Sequence, residues 1–175
     1  AVVALDPRTG GVLSAVSSPR YDPNKFVNGI SFSDYAELRD SRDAPLLNRV
    51  IQGQYPPAST IKPMLGLAGL NRDLITIDTA IPDPGYYQLP GDPRRYRDWI
   101  LRVRGTGHAE EMNLRDSIAQ SCDVYFYELA NRFGIDALAE SLDDFGIGSV
   151  TGVDLPSEKR GILPSSEWKR RVIGS

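Results

Sequence analysis

Hydrophobic and polar positions change their spacing several times along the chain, and each change marks an element. Val2-Val3-Ala4-Leu5 and Val12-Leu13-Ser14-Ala15-Val16 are short, partly β-branched apolar runs around Asp6-Pro7-Arg8-Thr9-Gly10-Gly11. A proline that presets φ and a glycine pair that supplies φ > 0 make this a predicted β-hairpin. Residues 17–45 lose the pattern, carry Pro19 and Pro23 among Asn, Ser and Asp, and predict a long irregular excursion. A short apolar stretch at 46–51 then runs into Tyr55-Pro56-Pro57, where the paired prolines end any helix.

From Ser59 to about Leu70 the chain is apolar on nearly every side: Ile61, Met64, Leu65, Leu67, Ala68, Leu70. Such a pattern predicts a buried helix, and Pro63 is tolerated only in its first turn, so the start lies close to Ser59. Residues 75–112 are again irregular, with Pro82, Pro84, Pro90 and Pro93 among several glycines. A helix is predicted from Asn113 as N-cap, with Leu114 and Ile118 on one face, breaking near Ser121. Ser121 and Asp123 suit the start of a second helix through Tyr125 and Leu129. A third is predicted after Gly134, with Leu138, Leu142 and Phe145 inward and Gly146 as its stop. Thr151–Leu155 reads as a short strand, and Trp168-Lys169-Arg170-Arg171 as the entry to another element.

Composition narrows the class. The chain has 175 residues, enough for one ordinary domain, and 41% hydrophobic content supports a core. A net charge of −3 argues against a nucleic-acid partner. One cysteine excludes an internal disulfide, and no apolar run is long enough to span a bilayer. The chain opens in an apolar run without an initiator methionine and stops after a predicted element begins, so it reads as part of a longer protein.

Two short constellations carry chemistry. In Ser59-Thr60-Ile61-Lys62 the hydroxyl and the amine share a helix face and come within hydrogen-bond reach. Serine is a weak nucleophile until a neighbour takes its proton, and a lysine at a buried helix start is a candidate base. The bland reading is an N-cap serine beside a snorkelling lysine. A second Ser-x-x-Lys, Ser166 to Lys169, lies in a charged setting and reads as coincidence. In Ser121-Cys122-Asp123, a hydroxyl and a carboxylate two apart at a helix junction can face one cleft; helix capping is the alternative. Separately, Asp83, Asp98, His108 and Cys122 are four donors acceptable to Zn²⁺ in a closed tetrahedral site, on an excursion with little apolar content to hold it. The alternatives are an ordinary polar histidine and a core cysteine.

Gln54-Tyr55-Pro56-Pro57-Ala58-Ser59-Thr60-Ile61-Lys62-Pro63 followed by Ser121-Cys122-Asp123 resembles the first two active-site motifs of penicillin-binding transpeptidases, specifically the class B, elongation-type penicillin-binding protein 2 family. Ala4–Gly11, Tyr21-Asp22-Pro23-Asn24, Phe26-Val27-Asn28-Gly29, Tyr96-Arg97-Asp98-Trp99 and Thr151–Pro156 agree with it, from end to end of the chain. Septal relatives are expected to carry Ser-x-Asn in the second motif, so Asp123 and the Tyr-Pro-Pro run favour the elongation branch. The resemblance implies an α/β, penicillin-binding/β-lactamase-like transpeptidase fold, with helices packed on an antiparallel sheet. Residues 1–175 would be its N-terminal portion. The family's third motif, Lys-[Ser/Thr]-Gly on the central strand, follows none of the four lysines, so that strand is expected outside this chain. The resemblance further implies Ser59 as nucleophile, Lys62 as general base, Ser121 as proton relay and Asp123 as a holder of substrate or of Lys62. It implies the N–H of Ser59 as one oxyanion donor, with the second on a missing strand. Some relatives bearing the Asp83-Asp98-His108-Cys122 set bind a structural zinc. Expected partners are peptidoglycan stem peptides, β-lactams and membrane proteins of the elongation machinery, with a single-pass anchor in the inner membrane and the domain in the periplasm. Two rival readings remain: a β-lactam sensor acylated without turnover, and a non-catalytic scaffold.

Overall fold

The computed structural model describes residues 1–174. The fold is mixed α/β, with helices and two small antiparallel sheets. It divides into two compact units, Ala1–Tyr55 with Val150–Gly161, and Pro56–Ser149 with the described residues from Ile162 onward.

The first unit holds the predicted hairpin. Strand β1 (Val2–Leu5) pairs antiparallel with β2 (Val12–Val16), from Val2 opposite Val16 to Leu5 opposite Val12, with a bulge between Ala4 and Leu5. The Asp6 carboxylate accepts the Arg8 N–H in the turn at 2.9 Å. After a 3₁₀ turn at Pro23–Phe26, helix α1 (Phe32–Asp40) occupies part of the excursion expected to be irregular. Its sequence carries no apolar stripe, but Ser31 caps it by accepting the Asp34 N–H at 3.1 Å, and that local signal starts the helix. Helix α2 (Arg49–Gln52) follows. Thr151–Leu155 is not a strand: the Glu158 carboxylate accepts the N–H groups of Thr151 and Gly152 at 2.7 and 3.1 Å, curling the segment into a loop.

The second unit holds the motifs. A 3₁₀ turn at Ala58–Ile61 leads into α3 (Lys62–Asn71), with Pro63 in its first turn as expected. The helix is not buried all round, since Leu67 is 48% exposed while Leu65 and Ala68 are buried. The long excursion is closed at its base where Ile81 and Met112 exchange backbone hydrogen bonds of 2.9 and 3.0 Å. Inside it lie a two-stranded ribbon, β3 (Tyr86–Tyr87) with β4 (Tyr96–Arg97), and a short helix, α4 (Ile100–Arg104). Asn113 caps α5 (Leu114–Ala119), as its position predicts.

The break at Ser121 is real, but Cys122 rather than Ser121 caps α6 (Asp123–Phe133): its Sγ accepts the Tyr125 N–H at 3.4 Å. Gly134, at φ 70°, turns the chain into α7 (Ile135–Asp143), and Ser165 caps α8 (Ser166–Ile173). Leu142 points inward as expected, whereas Phe145 lies beyond the helix end and is 40% exposed. Tyr125, Leu129, Met112 and Cys122 form the fully buried centre, with Ile75, Leu114 and Phe126 around it. Gly66 and Gly69 let α3 approach closely: a Cβ on Gly69 would meet the Leu129 side chain at 3.0 Å and Ile75 at 3.1 Å. That close approach carries the start of α3 to the start of α6.

Candidate active site

Four side chains converge where α3 and α6 begin. Ser59 sits exposed in the 3₁₀ turn, preceded by Ala58 at φ 49°; Lys62 opens α3 with its side chain buried. Ser121 lies between α5 and α6 at φ 54°, a left-handed conformation uncommon for a residue with a Cβ. That conformation turns both its carbonyl and its hydroxyl toward Lys62.

The Lys62 Nζ donates to Ser121 O at 2.8 Å, to Ser121 Oγ at 3.1 Å and to Asp123 Oδ1 at 2.6 Å. Ser121 Oγ in turn donates to Ser59 Oγ at 2.9 Å. The i, i+3 spacing leads one to expect Ser59 and Lys62 to touch directly; among the described residues they make no direct hydrogen bond. The physical reason is competition. Asp123 and the Ser121 carbonyl together hold the amine, so the two motif residues communicate through Ser121. The ammonium also lies 5.5 Å from the centre of the Phe126 ring, a cation–π contact. Three acceptors and an aromatic face compensate a charge that burial would otherwise penalise.

Beside this network lies the second candidate cluster. Asp83, Asp98, His108 and Cys122 each offer one donor atom, all within 4.8 Å of one another. His108 Nδ1 is 2.7 Å from Asp83 Oδ2 and 3.7 Å from Asp98 Oδ2, and Cys122 Sγ is 3.6 Å from Asp83 Oδ2. Tetrahedral zinc with ligands at about 2.0–2.3 Å places donor atoms about 3.3–3.8 Å apart. The 3.6 and 3.7 Å separations fall in that range, whereas the 2.7 Å His108–Asp83 contact is a hydrogen bond that a bound ion would replace. On charge the cluster fits a divalent cation, because two buried carboxylates face a single imidazole.

Burial tends to raise the Asp83 carboxyl. The His108 backbone N–H and imidazole, with the Gly85 N–H, outweigh it and hold Asp83 below its ordinary range. Burial pushes the Cys122 thiol up to about 12, with Asp83 and Asp98 adding to the rise. A metal ion would have to displace that proton, because the thiolate is the ligand form.

Two connections were not legible in the sequence. Asp98 Oδ2 accepts the N–H groups of Asp123 at 2.6 Å and Val124 at 3.3 Å, so a residue of this candidate cluster caps the helix that carries Asp123. Trp99 Nε1 donates to Ser121 O at 3.2 Å. Side chain to backbone bonds across such separations leave no spacing rule to read.

The chain matches the penicillin binding protein transpeptidase domain over residues 1–175. It is 53% identical over 172 residues to the peptidoglycan D,D-transpeptidase MrdA of Acinetobacter baumannii, covering 98% of this chain and 25% of that protein. The chain belongs to the penicillin-binding protein 2 family of transpeptidases. Among solved structures of the family, Pseudomonas aeruginosa PBP2 in complex with WCK 5153 superposes with a TM-score of 0.89 at 48% identity, over 99% of this chain and 37% of that one. PBP2 of Helicobacter pylori, solved in complex with MreC, gives 0.89 at 38% identity, over 99% and 31%. The chain thus spans about a quarter of the length of the curated family relative it matches. No helix among the described residues is long and apolar enough to cross a membrane.

Proposed function

We propose that this chain is the nucleophile-bearing portion of an elongation-type peptidoglycan D,D-transpeptidase. The observation that carries the reading is the unbroken run of hydrogen bonds from Ser59 Oγ through Ser121 Oγ to Lys62 Nζ and on to Asp123. In the reaction, Ser59 Oγ attacks the carbonyl between the two D-Ala residues of a stem peptide. Its proton moves to Ser121 Oγ as the Ser121 proton moves to an unprotonated Lys62 amine. The N–H of Ser59 meets the developing oxyanion, with a second N–H from a strand outside this chain. The C–N bond then breaks, the departing D-Ala amine takes the proton back through Ser121, and the acyl group stays on Ser59. An amine of a neighbouring stem attacks that ester, passes its proton along the same path, and frees Ser59. Splitting one amide exchange into two ester steps lowers each barrier. A β-lactam enters the first step, but its leaving nitrogen remains tethered and obstructs the second.

Asp83, Asp98, His108 and Cys122 are proposed to hold a structural Zn²⁺. The ion would supply charge neutralisation and cross-link the 75–112 excursion to the start of α6. In the same reading the complete protein is anchored in the inner membrane by a segment outside this chain, faces the periplasm, and works with membrane proteins of the elongation machinery. The relative solved with MreC supports a partner of that kind.

Labelling of the complete protein by a fluorescent penicillin, with exchange of the terminal D-Ala of a stem peptide for a D-amino-acid acceptor measured alongside, tests the function. Label that depends on Ser59, together with Ser59-dependent exchange, is expected. Label without exchange indicates a sensor, and no label indicates a scaffold.

A further inference from the structure

Trp99 is half exposed, at 47%, so filling the core does not account for it. It stands immediately before α4, its ring meets the His108 ring edge to face at 5.7 Å, and its one polar atom is aimed at the backbone of the second motif. The acceptor there is Ser121 O, the same carbonyl that receives Lys62 Nζ at 2.8 Å. One peptide oxygen therefore carries two donors, one from each side of the site.

The acyl-transfer reading, on which this inference rests, gives that oxygen a task. As an ammonium, Lys62 fills its three donors with Ser121 O, Ser121 Oγ and Asp123 Oδ1. As a proton-accepting amine it has two N–H bonds and one lone pair. If the two N–H bonds stay on Ser121 O and Asp123 Oδ1, the lone pair is left facing Ser121 Oγ, the hydroxyl that touches Ser59. The aim of the lone pair is then set by how firmly those two acceptors are held. Asp123 is fixed by its place at the start of α6, whose first N–H groups are bound by Asp98. Ser121 O belongs to a peptide whose residue sits at φ 54°, a conformation that tends to relax. Relaxation would rotate the carbonyl and carry the Ser121 hydroxyl with it.

We propose that Trp99 is a positioning residue for this proton relay: its indole N–H locks the Ser121 peptide in the left-handed conformation and so aims the Lys62 lone pair at the Ser121 hydroxyl. Trp99 touches none of the reacting atoms. Its effect falls on the acylation step rather than on the initial binding of the penicillin, because only the proton transfer needs that aim.

The decisive variant is replacement of Trp99 by 3-benzothienylalanine, installed in the complete protein by nonsense suppression. It keeps the shape and the contact with His108 and removes only the N–H; Trp99→Phe is the conventional companion. Stopped-flow acylation by a fluorescent penicillin separates the acylation rate constant from the dissociation constant of the initial complex. A fall in the rate constant of roughly 10-fold or more, with the dissociation constant within about 2-fold and the melting temperature unchanged, is expected. An unchanged rate constant in the isostere overturns the proposal, even if Trp99→Phe is slow, because the ring alone would then be doing the job. A weakened initial complex with an unchanged rate constant also overturns it, by making Trp99 a substrate contact. Ser59→Ala separates the two levels: if it still takes the label, the acyl-transfer reading itself fails, whereas an inert Ser59→Ala beside a normal isostere removes only the role of Trp99.

Discussion

Ser121 is the residue on which the proposed chemistry turns, because its hydroxyl touches both the nucleophile and the amine. Ser121→Ala removes the hydroxyl without disturbing a helix interior. It is expected to lower the acylation rate constant about 10²–10⁴-fold with little change in penicillin affinity, read by stopped-flow on the complete protein. Cys122 beside it gives a second test. Its thiol, raised to about 12 by burial, is protonated at neutral pH while metal-free. Zinc uptake is therefore expected to release the thiol proton, detectable with an indicator dye in weak buffer, and Cys122→Ser is expected to lower that release and the zinc affinity together. The sign for stability follows the same shift. A raised pKa stabilises the metal-free fold fully below the ordinary thiol range, and that contribution is lost as pH climbs toward 12. At this scale the sequence displays the residue types and their local spacing, Ser59 with Lys62 and Ser121 with Asp123. It does not display that Lys62 reaches its partners 59 and 61 positions away, and that pairing, not helix spacing, decides where the amine points.

Among the elements, those with strong local signals were legible. The hairpin turn, Pro63 at the start of α3, Asn113 as cap and the break before α6 each rest on backbone chemistry within a few residues. Elements defined by distant partners were not. The ribbon of β3 and β4 has strands of two residues each, too short for any period. Thr151–Leu155 has strand-like composition, yet the Glu158 carboxylate takes its N–H groups.

Two glycines test whether element packing holds the site. A Cβ at Gly69 would press on Leu129 and Ile75 at 3.0 and 3.1 Å, so Gly69→Ala is expected to destabilise by about 1–3 kcal/mol in urea unfolding. At Gly107 a Cβ would collide with the Asp83 backbone oxygen, which no side-chain adjustment relieves. Gly107→Ala is expected to separate Asp83 from His108, and elemental analysis should then find the purified complete protein depleted of zinc.

For the molecule as a whole, the mixed α/β class and the family were both readable, because the motifs that carry them run from Ala4 to Pro156. The two units within the chain were not readable, since the segment Val150–Gly161 returns to the first unit after a long absence. Its return is fixed by bonds such as Lys159 N–H to Ile51 O at 2.8 Å, which no local pattern announces. The third motif and the second oxyanion donor are expected on strands outside this chain, so the proposed chemistry belongs to the complete protein. Metal removal is a test at the same scale: chelation is expected to lower the melting temperature of the complete protein, and His108→Ala to make it insensitive to chelator.

The central claim is that Ser59 is the acylated nucleophile, and peptide-level mass spectrometry of the complete protein after reaction with penicillin tests it most directly. A single adduct on the peptide containing Ser59, absent from folded Ser59→Ala, is the expected result. An adduct on a different residue, or one that survives in Ser59→Ala, would contradict it.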